Sequence, residues 1–307
     1  MEDLKNSEIT DDYLVSRATT IYKDSASGRT LSEDRWRRDQ DLYEGNFSRE
    51  ERAFSEMLGT DRLYINKTYT NVQRILIDML DTFYSDPDEI VDVQAQKNLP
   101  YGYTQGVKAL LNYRLNSHPI DFYHELYEAS QDAIKYGCGI FKVFPKLKTA
   151  NIKVPVKRIS DLGQATEEME ERETIIEYAP QLIAINPEDV FFSKRATWKD
   201  YYKYPITHVF EMTREDARRA GYKNVDAVSE ITDATRGDAT KMYRHEDDEK
   251  MLGDSESVYQ NQKILVYECW DFLPNEDGEI VNGSYVMLGT PQGPQVVGRK
   301  FEENQLP

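Results

Sequence analysis

The spacing of apolar residues along this chain changes period once, at Gly139, and that change limits the fold more than any motif does. Upstream, Ile65, Tyr69, Val72, Leu76, Met79 and Phe83 are spaced 4, 3, 4, 3 and 4, with Ile75 and Leu80 widening the stripe. Such spacing gives one apolar face on an α-helix. Phe122, Leu126, Ala129, Ala133 and Tyr136 repeat the pattern up to Gly137, and Val107, Leu110, Leu111 and Leu115 mark a helix between the two. From Ile140 onward the segments are short, β-branched and aromatic, and are separated by Pro, Gly and Asn turns. Helices first and strands afterwards, without βαβ alternation, predict an α+β fold: N-terminal helices followed by a strand-rich, mostly antiparallel part.

Punctuation residues set the expected boundaries. Residues 1–30 read as a flexible acidic segment, 31–139 as the helical part and 140–307 as the strand-rich part. Ser32 is placed to cap a helix running through Trp36 and Tyr43 to Gly45, with Leu31 stapled onto Trp36. Arg49 to Leu58 fits another short helix. Asn66 or Thr68 caps the helix that follows, and Ile90–Val93 alternates like a short strand. Strands are expected at Ile140–Phe144, Ile152–Val156, Thr174–Tyr178, Gln181–Ile185 (split from its predecessor by Pro180), Val190–Phe192 and Ile206–Met212. The Glu-rich run from Ser160 to Glu173 reads as an exposed loop or hairpin tip. Thr213 caps a short helix ending at Gly221, and a second short helix is expected near Val225–Glu230. Residues 233–257 have no sustained period and read as a mobile acidic loop. Lys263–Phe272, Ile280–Val281, Tyr285–Leu288 and Val296–Val297 complete the strand set.

The chemistry of common enzymes is missing. There is no GxxxxGK[ST] loop, no GxGxxG between a strand and a helix, no HExxH and no GxSxG. Tyr136-Gly137-Cys138-Gly139 lies between a helix and a strand, the reverse of the nucleotide-binding order, and reads as a helix cap and turn. Two cysteines, Cys138 and Cys269, and four histidines do not make a recognisable zinc or iron–sulfur site. Cys138 with His118 or His124 is the one conceivable nucleophile, against the ordinary reading of a small buried thiol. Asp247-Asp248-Glu249 and Glu167-Glu168 read as solvated charge, as do Asp78 and Asp81 on their helix. No cofactor or metal is expected, nor an enzyme. A net charge of −17 argues against a protein that holds DNA by phosphate contacts. With a polar N-terminus and no apolar run of about 18 residues, the chain is expected to be soluble, intracellular and off the membrane.

Twenty-one tyrosines supply many rings that bury one edge and hydrate the other, which suits rebuildable subunit interfaces. Trp36, Arg37, Arg38, Tyr43, Tyr123 and Tyr127 are the interface candidates. The basic and aromatic residues from Arg35 to Tyr43 are interleaved with Glu33, Asp34, Asp39, Asp41 and Glu44, which favours ion pairing over nucleic-acid contact.

Four strings, in order, resemble one family. They are Arg35 to Gly45 (RWRRDQDLYEG), Ile65 to Val72 (INKTYTNV), Ala129 to Gly139 (ASQDAIKYGCG) and Ile185 to Phe192 (INPEDVFF). Together they resemble the portal proteins of tailed bacteriophages, especially the long portals of short-tailed phages, over roughly residues 30 to 300. The resemblance implies a wing-like α+β body and a homo-oligomeric ring, usually a dodecamer, at one capsid vertex of the virion, assembled in the host cytoplasm. It implies as partners the major capsid protein, the terminase large subunit and head–tail adaptor or tail proteins. Double-stranded DNA would pass through the channel without sequence-specific binding. Stem, clip and crown would lie outside this stretch, making the chain part of a longer portal. The competing expectations are another head–tail adaptor, or an acidic cytosolic metal-dependent hydrolase using dispersed carboxylates.

Overall fold

The computed structural model describes residues 9–47, 49–59, 65–86, 89–94, 100–117, 120–159, 165–228, 263–274, 279–289 and 295–303. The helices are α1 (Asp11–Glu44), α2 (Arg49–Leu58), α3 (Lys67–Phe83), α4 (Tyr101–Asn116), α5 (Phe122–Tyr136) and α6 (Arg214–Arg219). The strands are β1 (Ile140–Ile159), β2 (Ala165–Ile185), β3 (Val190–Phe192), β4 (Ile206–Thr213), β5 (Lys263–Pro274), β6 (Ile280–Leu288) and β7 (Val296–Glu303). Apart from the short α6, helices come first, and every strand pairing is antiparallel, so the chain is α+β. No helix among the described residues is long and apolar enough to cross a membrane. The chain divides into two compact units: Met1–Val72 with Lys135–Gly137 and Asn186–Pro307, and Gln73–Ile134 with Cys138–Ile185.

The first unit is built on a five-stranded sheet in the order β3-β4-β5-β6-β7. Strand alternation sends Tyr267, Cys269 and Leu273 of β5 and Tyr285 and Met287 of β6 to one face, where Leu14 and Ala18 of α1 join them. Ile264 and Val266 of β5 and Val286 and Leu288 of β6 go to the other, against Ala217 of α6 and Val225 and Val228. Both faces are covered, which is why Ile264–Tyr267 reads as an unbroken apolar run rather than an alternating one. Each fully buried Leu, Val or Met in these layers contributes on the order of 1.5–3 kcal/mol.

The second unit packs Leu76 and Leu80 of α3 against Leu126 of α5, with Tyr84, Phe122, Tyr127 and Ile134 around them. It also contains the β1–β2 hairpin, a separate two-stranded sheet. Gly137 ends α5 with φ 84°, the left-handed conformation a C-terminal cap needs. Gly139 is required for a different reason: a Cβ there would lie 2.2 Å from the Ala129 carbonyl oxygen.

Several expectations change. The helix expected to begin at Ser32 begins at Asp11, capped by the Thr10 side chain. Residues 11–30, read as flexible, therefore belong to α1, and its Leu14, Ala18 and Ser25 are buried. Its buried stripe is made largely of small residues, which carry little apolar signal. Leu31 is 80 % exposed and staples nothing. Of the α3 stripe, Val72, Leu76 and Leu80 are buried, whereas Ile65, Tyr69, Ile75 and Phe83 are exposed. Ile90–Val93 forms no strand. The side-chain amide of Asn112 takes the place of a neighbouring strand, accepting from Val91 N–H at 2.9 Å and donating to Val91 C=O at 3.1 Å.

The largest difference is the hairpin. Four expected strands and the part of the Glu-rich run from residue 165 onward merge into two long strands, with Pro145 opposite Pro180, while residues 160–164 lie outside the described residues. Proline is tolerated there because each strand is an edge, so its missing N–H costs no ladder bond. The expected helix near Val225–Glu230 is a single 3₁₀ turn, Val225–Ala227. The expected loop at 233–257 lies outside the described residues.

Candidate assembly interface

Trp36 and Tyr43 are seven residues apart and share a face of α1, where the first unit surrounds them with polar partners. Trp36 Nε1 donates to the Tyr136 carbonyl at 3.3 Å, and the two rings meet edge to face at 6.1 Å. The Tyr43 carbonyl accepts from Asn66 Nδ2 at 2.6 Å, and its ring lies 5.2 Å from Tyr69 and 5.2 Å from the Lys135 ammonium. Gln40 Oε1 between them accepts from Tyr136 Oη at 2.8 Å. Arg37 approaches Asp34 at 3.8 Å, and Arg38 Nε donates to the Asp34 carbonyl at 3.2 Å. Trp36, Tyr43 and the arginines thus have partners within their own chain.

Tyr123 and Tyr127 belong to the second unit. Tyr123 is 46 % exposed with its ring 5.2 Å from Tyr84, and Tyr127 packs beside the leucines of α3 and α5. The six candidates are therefore divided, four in the first unit and two in the second.

Sequence reasoning missed the residues that fasten α1 to the sheet. Arg17 grips Asp271 with both Nε and Nη2, the latter at 2.9 Å. Asp271 is fully buried, and its carboxylate holds the Arg17 guanidinium well above its ordinary pKa. Arg29 donates to the carbonyls of Glu188 at 2.7 Å and Val190 at 3.0 Å, and lies 3.6 Å above the Phe191 ring. The two arginines are twelve residues apart, about 120° around a helix, so their sequence signal is only that of two basic residues on one helix. The helix had first to be recognised for that signal to count.

A second missed feature is the apolar exposure of α3 and α4. Ile75, Ile77 and Phe83 of α3, and Leu110, Leu111 and Tyr113 of α4, are all exposed. Near β3 and β4, Trp198 is 82 % exposed beside Lys199, with Tyr201 and Tyr202 exposed on the same loop. That loop is held by Asp200, which accepts from the Thr197 amide at 2.7 Å and from its hydroxyl. These bonds lower the Asp200 pKa.

Among the described residues the titratable groups do not assemble a reaction centre. Burial pushes the Cys138 thiol up, and Asp132 adds to the shift, so the proton is held rather than released. Burial pushes Cys269 up to about 12. Both cysteines are free thiols. His124 pairs with Glu128 at 3.2 Å, one turn along the same helix, and His118 lies outside the described residues. Glu268, nearly buried, lies 3.9 Å from His208 and 3.8 Å from Arg299. Among the described residues no three His, Cys, Asp or Glu side chains converge as metal ligands would. Asp78 and Asp81 are exposed on α3, and Asp247 to Glu249 lie outside the described residues.

In comparison with known proteins, the family model described as the phage SU10 portal protein matches residues 149–291, just under half of the chain. The match takes in most of the hairpin and the sheet through β6, and includes the Ile185–Phe192 string. No curated protein matches the chain.

Proposed function

We propose, from the premise that this is a phage portal protein, that it acts as a ring-forming structural subunit at a single capsid vertex. A structural portal role carries no turnover of its own, and the chain is read as a non-enzyme on that ground. In this reading the ring is a homo-oligomer, a dodecamer by analogy with portals generally. It passes double-stranded DNA during packaging and ejection without gripping its sequence. The terminase large subunit docks on it during packaging, the major capsid protein surrounds it, and a head–tail adaptor or tail protein follows.

The observation that carries the oligomeric part is the apolar exposure on α3 and α4. Ile75, Ile77 and Phe83 of α3 and Leu110, Leu111 and Tyr113 of α4 are exposed apolar side chains, of the kind that contact sites draw on. The exposed Trp198, Tyr201 and Tyr202 have the composition of interface anchors. Tyr123 and Arg38 are the accessible members of the six interface candidates; Trp36 and Tyr43, half-buried, help to hold α1 in place within the first unit. The net charge of −17 suits a conduit, since an acidic ring offers DNA few phosphate grips.

Electron microscopy of the purified full-length product tests the reading. Closed rings with a central hole are expected; a compact monomer at micromolar concentration overturns it. Tight duplex-DNA binding by the ring, with a steep salt dependence, would contradict the conduit argument.

A further inference from the structure

The β1–β2 hairpin is a sheet of two strands, so each strand has one edge without a ladder partner among the described residues. A two-stranded ribbon is marginal alone in water, and an open edge accepts another strand. The ribbon is also divided by charge. Strand β1 carries Lys142, Lys146, Lys148, Lys153, Lys157 and Arg158 and no acid. Strand β2 carries Glu167, Glu168, Glu170, Glu171, Glu173 and Glu177, with Arg172 its one base. Within the ribbon the register sets Lys157 opposite Glu167, Lys153 opposite Glu171 and Lys148 opposite Glu177. That pairing accounts for one neighbour of each strand. It leaves a ribbon with a basic strand at one edge and an acidic strand at the other.

Two such ribbons repel when like edges meet and attract when β2 of one meets β1 of another. A two-fold contact is therefore disfavoured and a head-to-tail contact favoured, and head-to-tail contacts close into rings when the rotation allows. Copies related by rotation about one axis carry their ribbons in the same direction. β2 of one copy then runs antiparallel to β1 of the next and continues the alternation already present.

The prolines delimit the contact. A proline fits a hairpin strand only where its missing N–H faces away from the partner strand. Pro145 and Pro155 are ten apart on β1 and share a phase. The register irregularity at Lys148/Thr149 adds its extra residue, Ile176, to β2, so the phase of β1 is unbroken. The outward donors of β1 between the prolines belong to Leu147, Thr149, Asn151 and Lys153, a stretch of about 30 Å from Lys146 to Val154.

We propose that β2 of each subunit adds along β1 of the next, between Pro145 and Pro155, joining the hairpins of the ring into one closed antiparallel β-barrel. The proposal rests on the ring reading above. With strands about 4.8 Å apart, each subunit occupies about 9.6 Å of the circumference, so twelve close a barrel about 37 Å across before strand tilt widens it.

Charge exchange in the full-length chain tests the contact by mass photometry and microscopy. One variant makes both strands acidic in net charge (Lys146→Glu, Lys148→Glu, Lys153→Glu, Lys157→Glu). The other makes both basic in net charge (Glu167→Lys, Glu168→Lys, Glu170→Lys, Glu171→Lys). Each alone is expected to lose ring formation, and an equimolar mixture to regain rings in which the two alternate. Asn151→Pro, which removes one outward donor without changing charge, is expected to lower the ring population at least tenfold while leaving the monomer folded by circular dichroism. Rings from either charge variant alone, no recovery on mixing, or an unchanged ring population with Asn151→Pro overturns the hairpin contact while the ring reading stands. A monomeric unsubstituted chain overturns both.

Discussion

Removing Arg17 is expected to cost more than removing its partner, and the difference follows from where the two charges sit. The Asp271 side chain is 0 % exposed and that of Arg17 is 34 % exposed. With Arg17→Met, the carboxylate stays buried and keeps the Phe272 amide, at 2.7 Å, as a donor. Stranding a buried charge costs about 3–5 kcal/mol. With Asp271→Asn, the guanidinium keeps access to water and a 3.4 Å contact to the Phe272 carbonyl, so the expected loss is about 1–2 kcal/mol. At a urea slope of roughly 2–3 kcal/mol per molar, Arg17→Met moves the unfolding midpoint down by about 1–2 M and Asp271→Asn by less than about 1 M. The double variant Arg17→Met, Asp271→Leu replaces the pair by apolar volume and is expected to recover most of the loss. Hydrogen exchange should quicken first over residues 11–30, the part of α1 this pair fastens. Losses of equal size, or a larger loss for Asp271→Asn, would refute the claim that desolvation of Asp271 governs this contact.

Three further outcomes follow from the geometry. Gly139→Ala places a Cβ 2.2 Å from the Ala129 carbonyl oxygen, so α5 or the start of β1 must shift, at a cost of about 3 kcal/mol in thermal or urea unfolding. Asn112→Ala leaves Val91 N–H and C=O without the partners they have, and a loss of about 2 kcal/mol is expected, with faster amide exchange at Val91. Stability should fall in alkali. The folded-state pKa of Cys269 is raised from 9.0 to about 12 by burial, so above pH 9 the unfolded chain releases a proton that the native one retains. That contribution is whole below pH 9 and is lost as pH rises toward 12, by up to on the order of 4 kcal/mol. Burial raises Tyr285 in the same direction, and Cys269→Ala should flatten the slope between pH 9 and 12.

What the sequence determined by itself is local. The stripe of α5 and the glycine that ends it, the Asn66 cap of α3, the Thr213 cap of α6 and the run of β5 rest on contacts between near neighbours. Helices before strands followed from the same local periods, and the four strings carried the portal resemblance. What the tertiary structure decided is whatever depends on a distant partner. Residues 11–30 are helical because Leu14, Ala18, Arg17 and Arg29 find a sheet some 160 to 280 residues downstream. Ile90–Val93 looked like a strand because it is extended, yet a side chain rather than a strand satisfies it. The Glu-rich run from 165 became a strand because a basic strand lies in register opposite, a pairing that hydrophobic periodicity does not register. Half of the α3 stripe stays exposed for the same reason in reverse: an apolar face read from sequence names no partner, and in this fold Ile65, Tyr69, Ile75 and Phe83 keep much of their surface in water.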